Sequence, residues 1–473
     1  MAYKSDARCW AEQTFGSCNL EDPRRVKRLV DIASRLSIDP TGSLTGICRG
    51  DNAAKEGTYK FVENNAVRPE KISGGVHEQT AKIVAKREIC LAIQDTTTVD
   101  VSESLKEGWK EQGSPAGYQV HSTLAVDGKT MEPLGLLDQS RWLRAPKGSR
   151  PGKKTRGTRA PKEKESYKWT AALEAIEKRL PSMANIITVC DREADIYDFL
   201  CTLNARKYRY VVRASHDRKI EESTASLVKH VSGAAVLGEH VVSIGQRGRQ
   251  HITKKQQARK ARQAREAKTE VRATSVLLSA PSTAKKENAA PISVNVVLVQ
   301  EPNPPAGIEG IRWLLLTTEP IDSLEQVLTV VGYYSARWLI EEYHKAWKTG
   351  CRLEQRRLQT HENFERVMVI TAAVAVRILQ LRTISQSEET NCEAILKKNE
   401  WQCLYAITET ERPLPEQPPS AEWAYYAVAK LAGWFDSKGT GRVGWQTLWK
   451  GWERLQLQLA GWNAALQMNR IDR

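Results

Sequence analysis

The chain has 473 residues, enough for roughly two to four domains. It carries 71 Lys and Arg against 56 Asp and Glu, a net charge of +15 and a pI near 9.3, so an anionic partner is expected, nucleic acid first. Nine cysteines, an odd number without a C-x-x-C pair, argue against both a disulfide framework and a zinc ribbon, and the lack of an apolar leader or of ~18 consecutive apolar residues predicts a soluble, unexported protein.

Residues 1–70 read as helical. Asp22 is an N-cap ahead of Pro23, and Val26, Leu29, Val30, Ala33 and Leu36 recur at helical spacing. The other face carries Arg24, Arg25, Lys27, Arg28 and Arg35, which either contact DNA or form a solvated charged face. From about 89 the period becomes that of strands: 89–95, 117–127 and 131–143, joined by short turns, predict a meander. A helix near 165–180, a strand at 184–190, a helix at about 193–204 and a strand at 208–215 follow. Strands that meander and then alternate with helices predict a mixed α/β sheet.

Two stretches are strongly basic. Residues 147–164 hold eight Lys and Arg against one acid, and 247–272 hold ten against two; both are expected to be mobile, as DNA-tracking surfaces or solvated loops. Short strands elsewhere in 216–325 predict a β-rich insertion. A long helix begins near 325, and from 362 onward the chain is mostly helical, broken at the proline-rich 413–419. The last helix, from about 442, aligns Trp445, Leu448, Trp449, Trp452, Leu455, Leu459 and Trp462 on one face. That face needs a cover, either the chain's own core or a second copy.

Asp95 ends the apolar strand 89–95 and precedes three threonines, so it should project at the carboxyl end of a buried strand, where α/β sheets place ligands. Asp191 stands likewise after 184–190, although an Asp there can also cap the following helix. Two carboxylates at adjacent strand ends stay ionised cheaply only with a cation between them, which points to a divalent metal.

At roughly 100° per residue, the segment 334–348 places Tyr334, Arg337, Glu341, Lys345 and Lys348 on one narrow stripe. Leu339, Ile340, Tyr343, Ala346 and Trp347 lie opposite. The stripe selects Glu341 over Glu342. An exposed helix laced with i,i+4 pairs such as Glu341–Lys345 is the alternative, but cations flanking one acid suit a phosphodiester-processing site. Glu341 and His344 also form an E-x-x-H, but no second copy exists to complete a di-iron site.

With these residues in view, the chain resembles the DDE transposases with an RNase H-like core, and among them the insertion-sequence-four group. DPRRVKRLV, AIQDTTT, VHSTL, VCDREADIY, VVRASH, RWLLLTTEP, YYSARWLIEEYHKAWKTG, RILQLR and WFDSKGTG follow that group's order. The most specific match is Tyr-x2-Arg-x3-Glu-x6-Lys, met by Tyr334, Arg337, Glu341 and Lys348.

The resemblance implies an α/β, RNase H-like core over 71–370, interrupted by a β-rich insertion at 216–325. A helical end-recognition domain (1–70) and a helical dimerisation domain (371–473) would flank it. It also implies that Asp95, Asp191 and Glu341 bind two Mg²⁺ ions, with Mn²⁺ as a substitute, to nick a transposon end, form and open a hairpin, and transfer the strand to target DNA. Tyr334, Arg337 and Lys348 would grip phosphates near the cut, assisted by Arg213, Lys345 on the same stripe would also bind DNA, and Trp313 would stack on the hairpin unless it is ordinary core. Arg24, Arg25, Lys27 and Arg28 would meet the recognised end. The expected partners are transposon-end and target DNA and a second copy in a homodimer, with no membrane and no small-molecule substrate, in the bacterial cytoplasm at the nucleoid. The competing readings are an RNase H-like endonuclease that cuts without joining and a non-catalytic inhibitor of transposition.

Overall fold

A computed structural model describes residues 7–101, 117–143, 162, 164–221, 224–245, 263–282, 290–385, 390–435, 437 and 443–471, without the side chains of 446, 460 and 463–471. Contacts divide the chain into two units. The first comprises Met1–Lys86, Thr96–Arg156 and Leu339–Arg473; the second comprises Arg87–Asp95 and Gly157–Trp338.

The first unit opens with α1 (Ala7–Phe15), α2 (Pro23–Ile38), α3 (Asn52–Val62) and α4 (Pro69–Val84). α2 forms for the reason its sequence suggests: Asp22 is extended and its Oδ1 accepts the Arg24 N–H at 2.8 Å. Leu29, Val30, Ala33 and Leu36 are all buried. Strands β1 (Cys90–Asp100), β2 (Gly117–Asp127) and β3 (Pro133–Leu143) follow, with β2 and β3 antiparallel. β1 outruns the expected 89–95 because Thr96–Thr98 and Val99, β-branched residues, continue the extended backbone.

Next come α5 (Lys168–Glu177), β4 (Ile186–Cys190), α6 (Tyr197–Ala205), β5 (Arg209–Arg213), α7 (Leu227–Ser232), β6 (Gly238–Ile244), β7 (Arg265–Leu278), β8 (Ile292–Gln300), β9 (Arg312–Thr317) and α8 (Leu324–Ala336). In the second unit the strand order is β1-β4-β5-β9-β8-β7-β6. β1, β4 and β5 are parallel and the others antiparallel. The stretch expected as a β-rich insertion thus continues the sheet directly from β5. Trp169, Phe199, Leu200, Tyr210, Leu298 and Leu316 share one core, where each buried Leu contributes about 1.5–3 kcal/mol. α8 lies against β4, β5 and β8.

The basic run 247–272 differs from expectation in its second half, since 265–272 belong to β7. Ala267, Thr269 and Val271 point inward there while Glu266 and Lys268 face out, a period of two hidden under the charge density. Residues 246–262, and all of 147–164 except 162 and 164, lie outside the described residues.

The chain then returns to the first unit through α9 (Trp338–Lys345), α10 (His361–Ile384), α11 (Lys398–Thr408), α12 (Ala421–Leu431) and α13 (Trp445–Ile471). α10 holds no run of ~18 consecutive apolar residues, yet by length and mean hydropathy it could cross a membrane; 78% of its apolar window is buried in the protein, as in a core helix.

The aromatic face of α13 also departs from its sharper reading, because it is covered within this unit. Leu455 and Leu459 pack with Trp401, Leu404, Ala424 and Val428, joined at the edge by Trp452 and Trp462. Leu448 packs against Tyr425, Ala429 and Val443. Gly451 permits the close approach, since a Cβ there would stand 1.9 Å from the Val428 carbonyl oxygen on α12. All nine cysteines are free thiols.

Candidate active site

In the second unit, Gln94 of β1 stands opposite Cys190 of β4, and Cys190 opposite Val212 of β5. The next residues are Asp95, Asp191 and Arg213. Two carboxylates and a guanidinium therefore leave the sheet at one level, on neighbouring strands about 4.8 Å apart.

The electrostatics agree with this row. The buried Cys190 thiol is pushed well above its ordinary range, first by burial and then by the charges of Asp191 and Asp95, while Arg337 pulls the other way. Asp95, Asp191 and Arg337 thus act on a single point in the sheet.

Asp191 also does what an Asp after a strand commonly does: its Oδ1 accepts the Glu193 N–H at 2.9 Å and caps the short turn Arg192–Ala194. A cap engages one carboxylate oxygen of two, so it does not compete with a ligand role.

Arg213 donates from Nη2 to the Arg312 carbonyl at 2.9 Å. Trp313, the next residue on β9, is half-buried and meets Tyr334 edge-on at 5.1 Å, and Arg337 lies 5.9 Å from the Tyr334 ring. Tyr334 is not displayed on an open stripe as expected; it is 5% exposed, a wall with Trp313 and Arg337 against it.

The continuous helix expected over 334–348 is interrupted. α8 ends at Ala336, Arg337 caps it, and Ala346–Gly350 form a π turn in which the Cys351 N–H reaches the Ala346 carbonyl at 2.9 Å. A π turn holds more residues than an α turn, so a uniform advance no longer fixes where Lys348 points.

In the first unit, Lys348 Nζ donates to the Thr98 carbonyl at 2.9 Å and to Thr97 Oγ1 at 3.3 Å. Gln119 Nε2 donates to Thr98 Oγ1 at 2.8 Å, and Thr96 Oγ1 pairs with His121 Nδ1 at 2.9 Å. Each of the three threonines following Asp95 is therefore gripped, a role for His121 and Gln119 that only long-range pairing reveals.

Glu341 is half-buried in the first turn of α9. Ile340, Tyr343, Ala346 and Trp347 are buried, as the packing face requires. Glu342 is committed to structure: Lys345 Nζ and Trp445 Nε1 each donate to it at 2.9 Å, and Arg382 pairs with it. Burial opposes its ionisation, but the Lys345 hydrogen bond, the Arg382 charge and the Trp445 N–H outweigh it, so the carboxyl stays below its ordinary range. Lys345, expected to pair with Glu341 if the stripe were plain surface, pairs at i,i+3 with Glu342.

On α2, Arg24 has a side chain 92% exposed and pairs with Asp22 at 3.0 Å, and Lys27 is exposed. Arg25 donates to the Leu20 carbonyl at 3.0 Å, and Arg28 and Arg35 pair with Asp31 at 3.3 and 3.2 Å. The basic face is thus partly neutralised from within.

Among the described residues no three His, Cys, Asp or Glu side chains are gathered so as to hold a metal ion. The donor chemistry of the row nevertheless suits one, since carboxylate oxygens are hard ligands matched to Mg²⁺ or Mn²⁺.

Two family comparisons bear on these residues. Residues 7–67 match the family described as transposase DNA-binding, and residues 155–377 match the transposase DDE domain. α2 falls within the first match. Asp191, Arg213, Trp313, Tyr334 and Glu341 fall within the second, and Asp95 lies outside both.

Proposed function

We propose, for a chain that carries a transposase DNA-binding domain and a DDE transposase domain, that it excises a DNA segment and joins it to target DNA. The reading places it in the insertion-sequence-four group, close to the transposase of bacterial transposon Tn-five. The observation that supports it most is the row of Asp95, Asp191 and Arg213 on three adjacent strands. A DDE domain implies an RNase H-like fold and general dependence on divalent metal.

Asp95, Asp191 and Glu341 are proposed to hold two Mg²⁺ ions, replaceable by Mn²⁺, with DNA oxygens completing the coordination. Bound there, the metal supplies Lewis-acid stabilisation of the attacking and leaving oxygens. A water oxygen attacks the end phosphorus and a 3′-hydroxyl leaves. That hydroxyl attacks the opposite strand, closing a hairpin; water reopens it; the freed 3′-hydroxyl attacks the target strand. Each step forms one P–O bond and breaks one.

Arg337, Lys345, Lys348 and Arg213 hold the phosphates. Tyr334 joins that grip, Trp313 offers its ring to the distorted end, and Arg24, Arg25, Lys27 and Arg28 meet the recognised sequence. The basic runs add salt-sensitive backbone affinity. Excision requires two ends cut in concert, so the working species is a homodimer, with its contact on a surface other than the covered face of α13. The layout of an end-recognition region (1–70), a core (71–370) and a C-terminal region (371–473) belongs to the same proposal, as does action at the bacterial nucleoid.

Incubation with candidate end DNA and Mg²⁺ tests the reading. Asp95→Asn, Asp191→Asn and Glu341→Gln should each abolish nicking while end binding in a gel shift persists. Near wild-type nicking by any one removes that residue from the site.

A further inference from the structure

We infer that Asp195 is the positioning residue that locks the turn carrying Asp191 to the strand end carrying Arg213. The inference rests on the site reading above.

Asp195 is an acid four residues beyond Asp191, yet its carboxylate is spent inside the protein. It is 2% exposed. Oδ2 accepts the Ser215 N–H at 2.7 Å, the His216 N–H at 2.9 Å and the Ser215 hydroxyl at 3.3 Å. Oδ1 accepts Arg218 Nε at 3.2 Å and is paired with Arg218 Nη2, which also donates to the Asp195 carbonyl at 3.0 Å. The Arg218 guanidinium lies 5.8 Å from the Tyr197 ring.

The backbone donors explain why a carboxylate sits here. The ladder between β5 and β9 ends with the Ala214 N–H on the Leu314 carbonyl at 2.7 Å. The next two N–H groups, of Ser215 and His216, lie beyond the ladder in residues that are themselves exposed, and what is buried is their acceptor, whose carboxylate needs donors to stay ionised inside the protein. Asp195 takes both, so it begins its grip where the ladder stops, two residues after Arg213.

At its own end, Asp195 closes a tight turn. The Ala194 N–H donates to the Asp191 carbonyl at 3.2 Å and the Asp195 N–H to the Arg192 carbonyl at 3.3 Å. Any slip of Asp195 is passed through that turn to Asp191. Arg218 cancels the charge locally, so an acid four residues beyond Asp191 adds little repulsion to it. An apolar residue could fill the volume, but it could not hold two N–H groups in register.

The test combines metal-free and metal-dependent measurements on the full chain. Asp195→Asn keeps the shape but loses the charge and one acceptor. In metal-free protein, hydrogen–deuterium exchange should rise in peptides covering 191–196 and 214–218, with little change elsewhere. End binding should persist, and the Mg²⁺ needed for half-maximal nicking should rise about tenfold to a hundredfold, the usual cost of losing an outer partner of a metal ligand. Excess Mg²⁺ should restore part of the rate, which a purely structural role would not allow. Arg218→Gln, which retains the Ser215 and His216 bonds, should shift both readouts in the same direction by less, and it serves if Asp195→Asn fails to fold. A lowered melting temperature with an unchanged Mg²⁺ requirement overturns the inference, as does unchanged exchange in both segments. Asp191→Asn separates the two failures: if it still nicks, the site reading falls; if it is inactive while Asp195→Asn matches wild type, only this inference falls.

Discussion

Two amphipathic faces of the first unit, the basic side of α2 and the aromatic side of α13, each ask for a partner, and they receive different answers. The aromatic face is satisfied by its own chain: Trp445 is 8% exposed and donates to Glu342, and Trp452 Nε1 donates to the Ile38 carbonyl at 3.2 Å. The basic face keeps Arg24 and Lys27 at the surface even as Asp31 draws in Arg28 and Arg35. Burial of apolar surface is non-directional and strong, so any apolar face that can fold onto the chain does so. A solvated charge loses little by waiting for a partner that arrives later. Periodicity therefore shows that a face needs a cover and leaves open what provides it.

Three measurements would sharpen or break that contrast. Trp445→Ala should have the largest effect, a loss of about 3–5 kcal/mol in a denaturant melt of the free protein, as for other buried Trp truncations. A normal melt with a lost paired-end complex would make α13 an interface after all.

Glu342→Gln should cost roughly 2 kcal/mol, below the usual toll of breaking a fully buried pair because this side chain is 17% exposed. The sign with pH follows from the depressed carboxyl. Its contribution is complete above the unfolded value of about 4.5 and is lost as pH falls through the lower folded value. The variant's stability should therefore fall less steeply on acidification than that of wild type; equal slopes in paired urea melts would contradict the assignment.

The joint substitution Arg24→Gln with Lys27→Gln should leave the melting temperature unchanged. It should flatten the salt dependence of end binding by about one to two logarithmic units of slope, at ~0.9 for each phosphate no longer neutralised. A large drop in melting temperature would mean this face packs rather than waits.

The elements of the core were legible because strands such as 117–127 and 184–190 and the cap at Asp22 are written in local periods. The row of Asp95, Asp191 and Arg213 was only half legible. Each Asp could be seen at a strand end, but the level they share depends on pairing Cys90 with Ile186 and Ile187 with Arg209, which no local pattern encodes. The break at Arg337 and the π turn over Ala346–Gly350 carry no proline to announce them, so the uniform helical wheel misplaced Tyr334 and left the direction of Lys348 unset. In β7 the signal was present, in the alternation of Ala267, Thr269 and Val271, but the surrounding lysines and arginines obscured it.

The pairing of β1 with β4 also has a consequence for synthesis. The apolar strand Cys90–Ile93 leaves the ribosome with its β4-facing edge unpaired, and the partner of that edge, Ile186–Cys190, follows roughly a hundred residues later, a wait on the order of 5–20 s at ordinary elongation rates. Until then the strand must be kept from pairing with the wrong neighbour. A nascent chain that stalls before β5 holds both acids but lacks the third strand of their row.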